Sequence, residues 1–173
     1  MNETIKTIVS RRSIRSYLPD EISQEKLDEI LKAGTYAATG MGMQSPIIVA
    51  VTNKEVRDKL SKMNAEIMGT DTDPFYGAPV VVVVLADKNR PTHVYDGSLV
   101  MGALMDAAYS LGIGRCWVHR AKEEFESPEG KALLKEWGIE GEYEGIGHCI
   151  LGYPKGDIPK AKPRKENYIH YVK

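Results

Sequence analysis

The chain is predicted to fold as a layered domain of helices and strands, with one sheet covered by helices on both faces. Three observations predict it. The run "VVVVVLA" (Val80 to Ala86) is β-branched and apolar without alternation, as in a central strand buried on both sides. "YDGSLVMGALMDAAYSLGIG" is small and apolar nearly all round, which marks a helix packed inside the molecule. Elsewhere capped helical segments alternate with short apolar strands, an order that leaves helices to cover both faces. A chain of 173 residues has room for one domain with a substantial core, so residues 1–173 are read as a single unit.

The elements follow in order. "NETIKTIVS" places Ile5, Ile8 and Val9 at helical spacing behind Glu3, a short opening helix. A second helix follows Pro19. Ser23 is its N-cap, Ile22 and Leu27 are spaced as a hydrophobic staple, and Leu27, Ile30, Leu31 and Gly34 continue its apolar face. Gly40, Gly42 and Pro46 then break the pattern in "TYAATGMGMQSP". "IIVAV" (Ile47 to Val51) has the length and composition of a buried strand. Asn53 caps a third helix whose apolar face is Val56, Leu60, Met63 and Ile67.

"GTDTDPFYGAP" is a loop feeding the central strand, and its aromatics Phe75 and Tyr76 belong either to a lid or to a plain surface turn. The long apolar helix closes at Gly112 and Gly114, and "RCWVH" is a short strand after it. Ser127 before Pro128 opens a helix reaching about Trp137. "EGIGHCILGYP" supplies a further strand and "NYIHYV" at the C-terminus a last one.

The tail leading to that last strand carries Pro154, Pro159 and Pro163. A proline-stiffened arm ending in an apolar strand needs a sheet edge to pair with, such as one in a second subunit. Leaving Tyr168, Ile169, Tyr171 and Val172 in water would be costly. Residues 154–173 are therefore expected to dock.

Composition excludes several functions. The formal net charge is −1, so no field of one sign covers the molecule and general nucleic-acid binding is a poor expectation. Cys116 and Cys149 fit neither a disulfide framework nor zinc spacing, and are expected to be small buried hydrophobes. No signal-peptide pattern precedes the first basic residues, and the longest apolar run is too short to span a bilayer, so a cytoplasmic protein without membrane or metal is expected. The dinucleotide fingerprint and the phosphate loop are both missing, and His93, His119, His148 and His170 sit in no catalytic-triad context. Such a chain would borrow its chemistry from a cofactor.

Two basic clusters indicate which kind. "SRRSIRSYLP" packs Arg11, Arg12 and Arg15 together with Ser13 and Ser16, and "PKAKPRKEN" carries Lys160, Lys162, Arg164 and Lys165. In a nearly neutral chain, clusters of guanidinium, ammonium and hydroxyl groups flanking an apolar core suggest a small phosphorylated ligand.

The same stretches carry a family resemblance. "RRSIRSY" (11–17) resembles the R-[RH]-S-x-[RK]-x-[FY] opening of the nitroreductase family of FMN-dependent oxidoreductases. "AATGMGMQSP", "YDGSLVMGALMDAAYSLGIGRCWVHR", "GIGHCILGYP" and "PKAKPRKE" are similar to four further family segments, in the family's order and over essentially the whole chain. The resemblance implies an α+β three-layer sandwich with a mixed central sheet. It also implies a homodimer in which each C-terminal arm (154–173) adds a strand to the partner's sheet. Two FMN molecules at the interface, with NAD(P)H as co-substrate, complete that expectation.

Residue by residue, the resemblance implies that Arg11 binds the FMN phosphate with Lys162 and Arg164, while Arg12 and Ser13 hold the ribityl and phosphate side. Arg15 is implied at flavin N1 and O2, where a fixed cation stabilises the negative charge that reduction places there. Thr39, Gly40, Met41, Gly42 and Gln44 are implied to reach the flavin from the other subunit. Trp117, Val118, His119 and Arg120 form the flavin-facing strand end, with backbone N–H groups toward N5 and O4. Ala38 and Gly42 stand where the family often has proline and asparagine, and "QSP" where it often has Gln-Pro-Trp, so the contact at Gly42 is backbone only. The implied function is hydride transfer from NAD(P)H through flavin N5 to electron-poor acceptors such as nitroaromatics, quinones or activated alkenes. Reductive dehalogenation, or flavin binding without turnover as a carrier or sensor, are the alternatives.

Overall fold

Helices begin where a short polar side chain can take a free backbone N–H. In the computed structural model, which describes all 173 residues, Asn2 does so for α1 (Glu3–Ser10) and Ser23 for α2 (Gln24–Thr35). Asn53 Oδ1 accepts from the Val56 N–H (3.0 Å) to open α3 (Lys54–Met68). Ser127 Oγ accepts from the Gly130 N–H (3.0 Å) ahead of the Pro128–Glu136 helix. The strands are β1 (Pro46–Val51), β2 (Val80–Asp87), β3 (Gly114–Val118) and β4 (Tyr143–Gly152). Between them lie α4 (His93–Ser110), α5 (Ala121–Glu126) and α6 (Pro128–Glu136). The six-residue α5, "AKEEFE", has too short a pattern to announce itself in the sequence.

The sheet order is β1-β2-β4-β3. Central β2 divides two cores by its period of two. Val81, Val83 and Leu85 pack with Leu60 and Met63 of α3, Phe125 of α5 and Leu133 of α6. Val80, Val82, Val84 and Ala86 pack with Leu27 and Ile30 of α2 and with Met101 and Leu104 of α4. The layered fold with helices on both faces is thus as expected.

Three details differ from expectation. Every strand pair within the chain is antiparallel, where a mixed sheet was expected. A parallel neighbour needs a further strand, and the chain does not supply one internally. β1 is an edge strand, half-buried over Pro46–Val49 and exposed at Ala50, where a fully buried strand was expected. The terminal "NYIHYV" forms no strand, since it pairs with neither edge of its own sheet; Tyr168, Ile169, Tyr171 and Val172 are exposed.

β4 carries a bulge where its register with β2 shifts, leaving Ile146 between Gly145 and Gly147. Both glycines are close-approach positions. A Cβ at Gly145 would meet the Ala121 carbonyl oxygen at 2.2 Å, and one at Gly147 the Trp117 indole at 2.6 Å. This seats α5 and β3 tightly at the end of the sheet where the expected site residues lie.

Candidate functional site

The Arg11–Arg15 stretch lies along the free edge of β3. The Ile14 N–H donates to the Arg115 carbonyl (2.9 Å), and Leu18 and Lys155 exchange backbone bonds with Tyr153 and Ser16 across a Tyr17–Pro154 bridge. The root of the C-terminal arm therefore leaves beside the basic stretch. Arg11 Nε sits 3.3 Å from Asp106 Oδ1 of α4. Arg12 turns back and donates to the Val9 and Arg11 carbonyls, tying the end of α1. Ser13 is half-buried and Arg15 exposed. Lys162 and Arg164 are exposed on the arm, with Arg164 bonded back to the Lys162 carbonyl, and no ion pair or hydrogen bond brings either to Arg11.

A fourth arginine joins this cluster. Arg115 on β3 is buried, stacks 4.6 Å above the Tyr109 ring and donates Nη1 to the Ile113 carbonyl (3.0 Å). Its Nε and Nη2 are buried without any acceptor. Burial, and then the neighbouring Arg11 charge, pull its pKa down to about 10. The result is a pair of neighbouring guanidinium groups with unpaired donors, a setting that favours an anion.

At the other end of β3 the chain turns sharply. Arg120 adopts φ +76°, a left-handed conformation uncommon for a side chain of this size. The Val118 carbonyl faces His148 Nδ1 (3.3 Å) and the His119 carbonyl accepts from Asn64 Nδ2 (2.8 Å). The N–H groups of His119 and Arg120 donate to nothing within the chain. The Trp117 side chain packs into the α4-side core, so at this position only the backbone is offered.

The third expected group, Thr39–Gln44, is an exposed 3-10 turn with positive φ at Met41, Gly42 and Gln44. Met41 is almost wholly exposed. Asp96 holds the turn. This carboxylate, buried in the first turn of α4, accepts from the Gly40 N–H (2.9 Å), Ser45 Oγ (2.7 Å) and Thr92 Oγ1 (3.1 Å). Burial opposes its ionisation, yet these bonds outweigh that and hold the carboxyl below the usual range. Gly40 is a close approach: a Cβ would lie 2.3 Å from Thr92 Oγ1, so Thr92 would have to shift. No hydrogen bond or ion pair links this turn to the arginine stretch of its own chain.

The "DPFYG" loop is a turn anchored to the core, with Tyr76 left exposed. Phe75 is fully buried in the core, and Asp73 accepts from the Phe75 and Gly77 N–H groups, Ser61 and Arg57. Cys116 and Cys149 are buried and free, as expected, and burial pushes the Cys149 thiol up to about 12. A groove of about 620 Å³ between Ile22, Leu27, Thr52, Arg57 and Val80 includes none of the expected site residues. No group of side chains is arranged to hold a metal, and no helix is long and apolar enough to cross a membrane.

Sequence reasoning did not single out Arg115, Asp96 or Asn64, and of His148 it said only that no catalytic triad surrounds it. A carboxylate in the first turn of a largely apolar helix was a signal for Asp96. The others gave none.

The sequence profile of the Nitroreductase family matches residues 8–72. FMN reductase (NADPH) of Bacillus subtilis is 36% identical, over 96% of this chain and 74% of that protein. FMN reductase (NAD(P)H) of the same organism is 29% identical over 66% of this chain, and the chain spans only about half (53%) of its length. Among solved structures, a nitroreductase with bound FMN from Bacteroides fragilis superposes with a TM-score of 0.91 at 28% identity, covering all of both chains. With the motifs in family order, the fold superposing end to end and a relative at this identity, the chain belongs to the nitroreductase family.

Proposed function

We propose that the chain is an FMN-dependent oxidoreductase that takes hydride from NAD(P)H and passes it to electron-poor acceptors such as nitroaromatics, quinones or activated alkenes. One observation carries the reading. β3 has unpaired guanidinium donors at its start, at Arg115 beside Arg11, and two free backbone N–H groups past its end, at His119 and Arg120. Those positions are four to five residues apart, or about 13–17 Å of extended chain. An anion site and a pair of neutral donors at that separation suit the phosphate and the ring edge of one FMN.

When bound, FMN supplies the redox chemistry, accepting hydride at N5 and giving it up again. The chain supplies binding, orientation and charge. Arg11, Arg12 and Ser13 hold the phosphate side with Lys162 and Arg164, which requires Arg11 to exchange Asp106 for the phosphate and the arm to fold back. Arg15, exposed on the same stretch, faces N1 and O2 and stabilises negative charge there. The N–H groups of His119 and Arg120 orient the ring at N5 and O4.

The working unit in this reading is a homodimer. Tyr95 and Leu99 are exposed on α4, in line with Gly102, where even a Cβ would meet open space. Ile5, Ile8 and Val9 form a second exposed apolar row on α1. A second copy covering these rows gives the Thr39–Gln44 turn a flavin to approach and the C-terminal arm a sheet edge to join.

The purified protein tests this directly. It is expected to be yellow, to release FMN on denaturation, and to oxidise NADH or NADPH when a quinone or nitroaromatic is supplied. Colourless protein that fails to bind added FMN overturns the reading. A yellow protein that turns over no acceptor overturns its catalytic half and leaves a flavin carrier.

A further inference from the structure

Behind the β3–α5 turn lies a polar cluster that neither core packing nor phosphate binding requires. Asn64 of α3, Glu124 of α5 and His148 of β4 are each fully buried. Apolar residues of similar volume would fill this space at lower cost than a buried acid and imidazole. Asn64 Nδ2 donates both to the His119 carbonyl (2.8 Å) and to Glu124 Oε2 (3.0 Å), while Asn64 Oδ1 accepts from Arg120 Nε (2.9 Å). His148 Nδ1 faces the Val118 carbonyl at 3.3 Å, and the Glu124 N–H donates to the Arg120 carbonyl at 3.0 Å. His148 Nε2 lies 2.7 Å from Glu124 Oε2, and Glu124 Oε1 has no partner. Phe75 closes the cluster, with its ring 5.2 Å from the imidazole.

The directional bonds of this cluster converge on one segment, Val118–Arg120. In a trans peptide the N–H points opposite to the carbonyl of the preceding residue. Val118 and His119 carbonyls drawn inward therefore turn the His119 and Arg120 N–H groups outward, away from the core. Neither N–H has an acceptor in the chain. The left-handed Arg120 backbone that makes this turn persists only where its surroundings over-determine it.

We propose that Asn64, Glu124 and His148 form a buried positioning network that aims the His119 and Arg120 N–H groups at the flavin ring, with Asn64 as its hub. This rests on the flavin reading above. The three residues touch neither flavin nor substrate. They act through the backbone they hold, as outer-shell partners hold a ligand in place.

The test follows backbone amides by ¹⁵N NMR while FMN is added to wild-type protein, to Asn64→Leu, which removes all three Asn64 bonds, and to the milder Asn64→Ser. In the wild type the His119 and Arg120 amide resonances are expected to move with FMN. In the variants those movements shrink and FMN binds roughly 10-fold more weakly, the scale of one lost hydrogen bond, while the movements at Arg11 and Ser13 persist. Wild-type movements retained in both variants overturn the network, whatever happens to thermal stability, because a purely structural asparagine would not reach these two amides selectively. If neither variant folds, the wild type decides: the Asn64 side-chain amide must move with FMN together with His119 and Arg120, and an unmoved signal overturns the proposal. Wild-type protein that binds no FMN overturns the flavin reading itself.

Discussion

Replacing Asp96 with asparagine tests how the Thr39–Gln44 turn is held. The carboxylate accepts three hydrogen bonds, from Gly40, Ser45 and Thr92, in a buried position. Asparagine keeps one acceptor for the Gly40 N–H and can donate to Ser45, but loses charge assistance on both and loses the Thr92 bond. With charged hydrogen bonds worth ~1.5–3 kcal/mol and neutral ones ~0.5–1.5, and with the burial penalty of the charge relieved, the net loss is about 2 kcal/mol. In a chain of this length that lowers Tm by about 4–8 °C at pH 7. The pH dependence supplies a second, sharper signature. The folded carboxyl sits below its ordinary value, so its stabilisation is fully present above the unfolded value near 3.9 and is lost as pH falls through the folded value. The gap between wild type and Asp96→Asn should therefore close below about pH 4. Thermal unfolding monitored by circular dichroism from pH 7 to pH 3 measures it. Equal Tm values at pH 7, or a gap that does not narrow in acid, would refute the role assigned to Asp96.

Three further perturbations address the flavin site. Arg115→Met removes a buried guanidinium with two unpaired donors, so the flavin-free protein should gain about 1–3 kcal/mol while FMN affinity falls. Thermal shifts with and without FMN measure both, and a less stable flavin-free variant would mean that the Ile113 and Tyr109 contacts already satisfy the arginine. Arg15→Gln keeps a donor but not the charge, so the flavin midpoint potential should drop by roughly 20–45 mV, equivalent to ~1–2 kcal/mol. An unshifted potential in variant protein still loaded with FMN would place Arg15 away from the ring. Truncation after Gly156 should leave a monomer or aggregate without flavin, since it removes Lys162, Arg164 and the apolar terminal segment together. Truncated protein that sediments as a yellow dimer would rule out the exchanged arm.

Much of the architecture was legible because it depends on local chemistry. Ser23, Asn53 and the Ser127–Pro128 pair cap their helices through side chains only three residues from the amides they satisfy. Val80–Ala86 announced a strand covered on both faces because each of its side chains has to enter one core or the other. The arginine-rich stretch was legible for the same reason, being contiguous along the chain. What the sequence alone could not decide was anything set by neighbours. β1 and β2 are both apolar and β-rich, and only the strand order makes one an edge and the other central. "NYIHYV" has the composition of a strand, but a strand exists only where an edge accepts its hydrogen bonds. The builders of the site lie furthest from view: Asp96 reaches Gly40 across 56 positions, Asn64 reaches His119 across 55 and Glu124 across 60. Each of these polar groups is tolerable in the interior only because its partner arrives from a distant element, so its meaning is created by the same packing that buries it.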